Sequence, residues 1–351
     1  MHAPHAAPTA ETPRTAHAAP TAETLRAALA GLLDGLPPRQ AAQAVDRLIA
    51  NYRGRTPTDA PVLRDRSDVA AYAAYRMPAT FEAVRAALDG LRERAPDWAP
   101  ASHLDIGGGT GAASWAVAAA WPDGGHSTTV LDWAEPALAL GRELAGQSAA
   151  TPLREARWQR RALTSHLALP DATDLVTVSY VLGELTAPDR RTVVGEAART
   201  AQAVVLVEPG TPDGYLRLRE ARDQLVSAGF RILAPCPHSD ACPIEPGADW
   251  CHFAARVSRS SLHRQVKGGS LGYEDEKFAY VAAARFPTEA ADGTSRVTRH
   301  PQTRKGQVLL DLCTPDEGLT RRTVTKRHGP LYRAARDTTW GDSWPPPLDE
   351  Q

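Results

Sequence analysis

No stretch of the 351-residue sequence approaches the uninterrupted apolar span of about 18 residues that a transmembrane helix needs, so such a helix is excluded. The opening MHAPHAAPTAETPRTAHAAP has no apolar block either, which excludes a secretory signal and predicts a disordered tail over 1–20. The closing WPPPLDEQ predicts a second disordered tail over 341–351. We therefore expect a cytoplasmic protein without a membrane partner.

Cysteine is scarce, with four in the whole chain. Cys236, Cys242 and Cys251 fall in the Pro-punctuated stretch PCPHSDACPIEPGADWCHF, and the fourth is Cys313. Four thiols are the number needed to ligate one metal ion or one iron–sulfur cluster, so the simplest interpretation is a single centre held by all four.

The spacing of the cysteines bears on which centre this is. The pattern C-x5-C-x8-C differs from the closely paired cysteines of zinc knuckles and ribbons. A Pro follows both Cys236 and Cys242, which stiffens the loop as in the Cys-Pro end of bacterial ferredoxin motifs. The pattern favours a [4Fe–4S] cluster, with zinc as the alternative. Two disulfides or four unrelated buried thiols are a further alternative, although the absence of a secretory signal disfavours disulfides.

Hydrophobic periodicity divides the chain into regions. Apolar positions at helical spacing in AETLRAALAGLLDGL, AAQAVDRLIANYR and MPATFEAVRAALDGLRER predict an N-terminal helical region over 21–100. Over 101–235, short apolar strands alternate with helices, which predicts a parallel α/β sheet covered on both faces. We expect 236–340 to be a Cys-rich, basic region that completes this sheet. There SRSSLHRQVKGG predicts a helix, KFAYVAAAR a strand, and GQVLLDLC with LTRRTVTKR a β-hairpin around TPDEG.

A glycine turn follows the first predicted strand, in the sequence Asp105-Ile-Gly107-Gly-Gly109-Thr-Gly111. It fits the G-x-G-x-x-G dinucleotide pattern poorly and resembles the D-x-G-x-G-x-G turn of class I S-adenosylmethionine (SAM) methyltransferases. The resemblance implies that the first-strand acid lies beside the methionine end of SAM and that the glycines pass its ribose. It also implies an acid for the ribose hydroxyls at the end of the second strand, where VLDWAEP supplies Asp132.

No catalytic residue stands out. RNA and DNA amino-methyltransferases of this fold carry an N/D/S-P-P-Y/F/W element after the fourth strand, and here the sequence reads SYVLGEL. No cysteine is near enough for cytosine-C5 chemistry. Glu184 in this stretch is a candidate acid or base, or simply a surface residue opening a helix. We leave the catalytic residue unassigned and expect no DNA partner.

The formal net charge of -1 conceals a basic C-terminal part, with sixteen Lys and Arg against nine Asp and Glu between His252 and Trp340. Such a surplus favours a surface for polyphosphate, and an ordinary solvated face is the alternative. The basic residues near the cysteines in sequence are Arg256, Arg259, Arg264, Lys267, Arg304, Lys305, Arg321, Arg322, Lys326 and Arg327.

Taken together, several stretches resemble the methyltransferase-like small-ribosomal-subunit family, namely LDIGGGTGAASWA, VLGEL, LVEPGTPDG, CPHSDACPI, WCHFAARVSR, LHRQVKGGSLGYEDEKFAYV and HPQTRKGQVLLDLC. Mitochondrial members of that family assist assembly of the small subunit, and this chain is identified as a bacterial member. The resemblance implies a SAM-type Rossmann-like core, an iron–sulfur cluster on the four cysteines, and binding to small-subunit ribosomal RNA or a 30S precursor. It does not decide whether methyl transfer occurs.

We therefore expect a SAM-binding ribosome-assembly factor with a structural cluster. One alternative is an active rRNA methyltransferase of unknown target. The other is a small-molecule SAM methyltransferase with a zinc-stabilised insert.

Overall fold

The structure is a computed structural model and describes residues 18–32, 43, 45, 66–260, 271–288 and 294–346. The predicted helix AAQAVDRLIANYR and most of SRSSLHRQVKGG, with Arg264 and Lys267, lie outside these residues, as does the predicted tail up to residue 17. Within the described ranges, no helix has both the length and the apolar character that crossing a membrane requires.

Eight strands form a main sheet. In chain order its strands and helices are α1 (Ala18–Gly31), α2 (Arg66–Arg94), β1 (Ser102–Ile106), α3 (Ala112–Ala120), β2 (Ser127–Asp132), α4 (Glu135–Gly146), α5 (Thr151–Arg154), β3 (Arg157–Arg160), β4 (Thr173–Ser179), α6 (Ala187–Thr200), β5 (Ala201–Pro209), α7 (Pro212–Ser227), β6 (Arg231–Ala234), β7 (Phe253–Ser258) and β8 (Tyr273–Ala284). A 3-10 turn, Leu182–Glu184, follows β4.

The strand order is β3-β2-β1-β4-β5-β8-β6, and β7 also pairs with β8. The five strands from β3 to β5 are parallel, whereas β8 runs antiparallel to β5, β6 and β7. The predicted α/β fold of the class I methyltransferase type is confirmed, with a central sheet that is mixed rather than wholly parallel.

Apolar helix faces cover both sides of this sheet. Helices α1 to α4 pack on one face, and α6 and α7 pack on the other. Every residue of α3, AASWAVAAA, is buried. Its small side chains let this helix lie in close contact with α1 and α2 as well as beside the sheet.

Five further strands form a second, smaller sheet ordered β10-β11-β9-β13, with β12 paired to β11. Its elements are β9 (Ser295–Val297), β10 (Gln302–Arg304), β11 (Gln307–Thr314), β12 (Gly318–Thr325), a 3-10 turn (Lys326–His328), α8 (Pro330–Asp337) and β13 (Ser343–Trp344). The predicted hairpin is present as β11 and β12. It belongs to this second sheet, so only β7 and β8 of the C-terminal region join the main sheet.

Three local expectations differ from the structure. Ala18–Pro20, expected at the end of the disordered tail over 1–20, begin helix α1. Trp344 lies within the stretch expected to be a disordered tail, yet β13 pairs with β9 and this indole is buried with Val297 and Leu310, because an apolar ring gains from that contact. Ser258, expected at the start of a helix, ends strand β7.

The cysteine-rich stretch connects β6 to β7, and both of these strands pair with β8 in the main sheet. Strand β6 pairs with the end of β8 at Ala282–Ala284, and β7 pairs with its beginning at Tyr273–Phe278. Cys236 lies just after β6, and Cys251 lies just before β7. The stretch is therefore a loop between two short strands that share the same partner.

Candidate functional site

The glycine turn between β1 and α3 adopts a backbone that L side chains rarely take. Gly107, Gly109 and Gly111 have φ angles of 67°, 53° and 85°. A Cβ on Gly107 would lie 2.6 Å from a methyl carbon of Val181, and one on Gly111 would lie 2.6 Å from the indole of Trp158. These two glycines are thus required by packing as well as by φ.

Gly109 differs from its neighbours because the space above it is open. The nearest atom to a Cβ there would be Oδ2 of Asp132, at 3.8 Å. The Gly109 amide donates to this same oxygen at 2.9 Å, and the Ala134 amide donates to Oδ1 at 2.8 Å. Burial raises the pKa of Asp132, while these backbone donors act in the opposite direction. The structure therefore joins the predicted turn and the predicted second-strand acid in one contact.

Asp105, the predicted first-strand acid, is fully buried beneath the turn. Its carboxylate accepts from the hydroxyls of Thr177 at 2.9 Å and Ser114 at 3.1 Å, and burial raises its pKa to about 6. Because Thr177 gives its hydrogen to Asp105, the ring nitrogen Nε2 of His103 donates to Thr177 Oγ1, at 2.9 Å. Asp105 thus braces the turn from below, and both its oxygens already have donors.

The stretch after β4 brings acidic groups close to Asp132. Glu184 as a residue is exposed, yet desolvation of its carboxyl group, with the charges of Asp132 and Glu208, raises its pKa to about 7. Glu208, wholly buried at the end of β5, accepts from the Leu182 amide at 3.1 Å and from Arg217 Nε at 2.7 Å. A pKa of about 7 lies near neutrality, where a general base is most effective.

Tyr180 sits at the position where amino-methyltransferases carry their catalytic element. Its φ of 58° is a strained value for a bulky residue. Its hydroxyl donates to Glu276 at 3.1 Å, and Arg76 on α2 pairs with Glu276 at 3.0 Å. Helix α2 also contacts the glycine turn through Met77, whose sulfur accepts from the Thr110 hydroxyl at 3.4 Å.

The four cysteines line one cavity of about 40 Å³ between α7, the cysteine loop and the second sheet. A single water needs about 10–15 Å³ measured in this way, so the space is larger than one solvent molecule requires. All four are free thiols, so the disulfide alternative is not formed in this structure.

The thiols share the cavity without forming a finished ligand set. In the described part of the chain, no three His, Cys, Asp or Glu side chains are arranged to hold a metal ion. The Cys242 sulfur lies 3.3 Å from the Tyr215 hydroxyl, and the Cys313 sulfur lies 3.8 Å from Nε2 of His238. Burial and the neighbouring sulfurs raise the pKa of Cys251 well above its usual range and that of Cys313 to about 12.

Two buried arginines make the cavity suited to an anionic centre. Arg222 and Arg296 line it, and each is 3% exposed. Among the described residues, Nε of Arg222 and Nη2 of Arg296 have no hydrogen-bond partner, although the Arg222 guanidinium lies beside the Cys236 thiol. Four sulfur donors beside unsatisfied N–H groups match the donor chemistry of a metal–thiolate centre, so the residue types fit such a group although the described side chains are not arranged around one ion.

The predicted basic surface separates into paired and unpaired residues. Arg321 donates to both oxygens of Asp311, at 2.7 and 2.9 Å. The other paired cations are Arg322 with Glu317, Arg256 with Asp275 and Arg259 with Glu274. Arg304, Lys305, Lys326 and Arg327 are exposed and have no ion pair within the part of the chain that the structure describes.

These four unpaired cations lie at one end of the second sheet. The Lys326 amide donates to the Gly306 carbonyl at 3.1 Å, which brings the β10–β11 turn against the end of β12. We call this group, Arg304, Lys305, Lys326 and Arg327, the basic end.

Comparison with known proteins identifies the family. The model of the Rsm22 family, described as mitochondrial small ribosomal subunit Rsm22, matches residues 66–345. The chain belongs to the Rsm22 family. The human mitochondrial ribosome assembly protein METTL17 is 30% identical over 290 residues, covering 78% of this chain and 62% of the human protein. The chain therefore spans less than two thirds of that relative's length.

More distant relatives are also similar to this Rsm22-family chain. The mitochondrial ribosome assembly protein RSM22 of Saccharomyces cerevisiae is 21% identical over 179 residues, covering 33% of this chain and 28% of the yeast protein. Among solved structures, a SAM-dependent methyltransferase from Aquifex aeolicus is 14% identical with a TM-score of 0.38, covering 64% of this chain and 100% of that chain. The fold assignment rests on the strand order and not on this likeness.

Several residues of these sites were not predicted from the sequence. Arg222 carried a readable signal, because it follows Leu218 by four residues and precedes Leu225 by three, which places it on the buried face of α7. Trp158 was also foreseeable in part, since Gly141 inside α4 indicates a close approach, and a Cβ there would lie 2.3 Å from this indole. Arg296 carried no such signal.

Proposed function

We propose that this protein is a SAM-binding, methyltransferase-like factor that binds small-subunit ribosomal RNA or a 30S precursor during assembly of the small subunit. Membership in the Rsm22 family carries the proposal, since the family model and the human and yeast relatives bear ribosomal or ribosome-assembly names. We further propose that it works in the cytoplasm.

The contact between Gly109 and Asp132 supports the SAM site. A cofactor can approach the backbone only where no side chain stands, and Gly109 provides that opening. Each Asp132 oxygen accepts one backbone amide and keeps further lone pairs, so the carboxylate can also accept from ribose hydroxyls. Gly107 and Gly111 hold the turn in place, and Asp105 braces it from below.

Calorimetric titration of the purified full chain with SAM tests this site. Wild-type protein should bind SAM, and Gly109→Arg, which fills the opening, should abolish binding. Gly229→Arg is a matched control, because Gly229 also has a positive φ, of 89°, and is exposed, and a Cβ there has no atom within 4 Å. Equal affinity in wild type and Gly109→Arg would reject the assignment.

We propose that Cys236, Cys242, Cys251 and Cys313 hold one [4Fe–4S] cluster, with zinc as the alternative. When bound, such a centre would crosslink the cysteine loop to β11 and so stabilise both. Fixing Cys251 to Cys313 closes a long loop of chain, which by analogy with disulfides is worth about 3–5 kcal/mol. Iron, sulfide and zinc analysis of protein purified without air distinguishes the two centres.

The basic end is the part of the C-terminal region that best suits RNA. Unpaired surface cations neutralise phosphates and release the counterions bound to the nucleic acid. Arg321 and Arg322 are already neutralised by Asp311 and Glu317, so they have less charge to offer an RNA phosphate.

One observation favours a second candidate function, an active rRNA methyltransferase. Glu184, whose pKa is raised to about 7, lies near enough to Asp132 to sense its charge, so it could take a proton from an RNA nucleophile. Transfer of labelled methyl groups from SAM to 30S precursor RNA, absent in Glu184→Gln, would establish that activity. Label that stays in SAM throughout would leave the assembly-factor function.

A further inference from the structure

The cysteine cavity contains more positive charge than its own side chains neutralise. Arg222 donates to the carbonyls of His238 at 3.1 Å and Asp240 at 2.5 Å. Arg296 donates to the carbonyls of Pro235 at 3.0 Å and Gly341 at 2.7 Å. These acceptors are neutral, so they position the guanidinium groups without compensating their charge.

The carboxylates nearest to the two arginines are only weak counter-ions. Asp223 lies 3.3 Å from Arg222 with its side chain 61% exposed, and Glu93 lies 3.5 Å from Arg296 with its side chain 45% exposed. Solvent screens such carboxylates, whereas the guanidinium groups are buried. A buried cation whose only carboxylate partner is exposed to solvent is poorly compensated, so this arrangement indicates that an anion belongs in the cavity.

A metal–thiolate centre supplies an anion of the required charge. When four thiols bind a dication, or a cluster core of the same charge, they release four protons and leave four thiolates. The complex then carries two net negative charges, which match the two guanidinium groups. Arg219 also lines the cavity, and its acceptors, the Tyr215 hydroxyl and two backbone carbonyls, are likewise neutral. It is half-buried, however, so solvent screens its charge more than the charges of Arg222 and Arg296.

We propose that Arg222 and Arg296 are the counter-ions and N–H donors of a dianionic tetrathiolate centre, holding its charge and orienting its sulfurs. This proposal rests on the metal centre proposed above. The unpartnered Nε of Arg222 and Nη2 of Arg296 are the groups that donate to the sulfurs. The two arginines are positioning residues, since they act through the ligands.

The role predicts opposite effects on the metal-loaded and metal-free protein. Arg222→Met or Arg296→Met removes a charge that the loaded centre needs, so metal retention under a chelator should weaken about 10- to 100-fold. The same change removes an uncompensated charge from the metal-free protein, whose Tm should stay constant or rise. Arg222→Lys and Arg296→Lys keep the charge and should recover part of the retention.

Arg190→Met is the matched control. Arg190 also donates to a backbone carbonyl, that of Leu185 at 2.9 Å, and its buried Nε has no partner among the described residues, but it does not line the cavity. It should leave metal retention unchanged.

The measurements are iron, sulfide and zinc content after chelator exposure, and Tm with and without metal, all on the full chain purified without air. A parallel fall of Tm in loaded and metal-free Arg222→Met would show a purely structural arginine and overturn the proposal. Unchanged metal retention in both Met variants would overturn it as well. A wild-type protein without any metal would instead reject the centre itself.

Discussion

The basic end makes a quantitative prediction about RNA binding. Replacing Arg304, Lys305, Lys326 and Arg327 together by Gln removes four exposed charges without disturbing a described ion pair. Each phosphate contact contributes about 0.7 to 0.9 to the slope of log affinity against log salt, so the slope should become shallower by about 2.8 to 3.6. Between about 50 and 200 mM salt, wild type should lose about 50- to 150-fold more affinity than the variant.

The assay is fluorescence anisotropy of small-subunit rRNA fragments titrated with protein at several salt concentrations. Arg321→Gln with Arg322→Gln is the matched control, because both residues are exposed arginines on the same sheet but are paired with Asp311 and Glu317. This double variant should change the salt slope by much less than the quadruple variant does. The quadruple variant should bind SAM with wild-type affinity. An unaltered slope in the quadruple variant, or an equal change in the control, would refute the reasoning.

Two further predictions concern the metal centre and the response to acid. A single Cys→Ser change should lower the iron and sulfide content and the solubility, because one soft ligand is lost and the segments that it holds together are loosened. This applies to each of Cys236, Cys242, Cys251 and Cys313. Full metal content in any of the four variants would contradict a centre shared by all four cysteines. Burial lowers the pKa of His103 to about 3, whereas the pKa of an unfolded histidine is about 6.5. As the pH falls below 6.5, only the unfolded chain therefore binds this proton. By pH 5 the protein should have lost about 2 kcal/mol of its free energy of unfolding. The raised pKa of Asp105 stabilises the folded protein as the pH falls, which opposes the effect of His103. The measurement is therefore the difference in unfolding free energy between wild type and His103→Gln at pH 7.5 and at pH 5. If both proteins show the same pH dependence, the prediction for His103 is wrong.

The sequence was most informative where a repeating pattern determines structure. Alternating strands and helices predicted the parallel strands and both helix layers, because each apolar face must be buried against another. The glycine turn and Asp132 were predictable because special φ angles and strand ends leave local signals. The hydrogen bond between the Gly109 amide and Asp132 could not be predicted, because it depends on how β1 and β2 pair.

Some of the ion pairs could have been predicted from the sequence. Once TPDEG is taken as the hairpin turn, the register places Asp311 opposite Arg321, so this cation could have been excluded from the RNA surface. The environment of Arg296 could not be foreseen, because its partners Pro235 and Glu93 are 61 and 203 residues away in the chain. Composition gave the number of thiols, and only the fold shows the charges around them.

The placement of β8 also has a consequence for synthesis on the ribosome. Strand β6 precedes β8 in the chain, yet β8 lies between β5 and β6 in the sheet. Until Tyr273–Ala284 has been made, β5 presents an unpaired apolar edge and β6 has no neighbour in the sheet. At about 5–20 residues per second, the chain between β5 and the end of β8 takes roughly 4 to 15 s to translate. Throughout that interval the nascent chain offers an aggregation-prone edge, which makes its early shielding by a chaperone valuable.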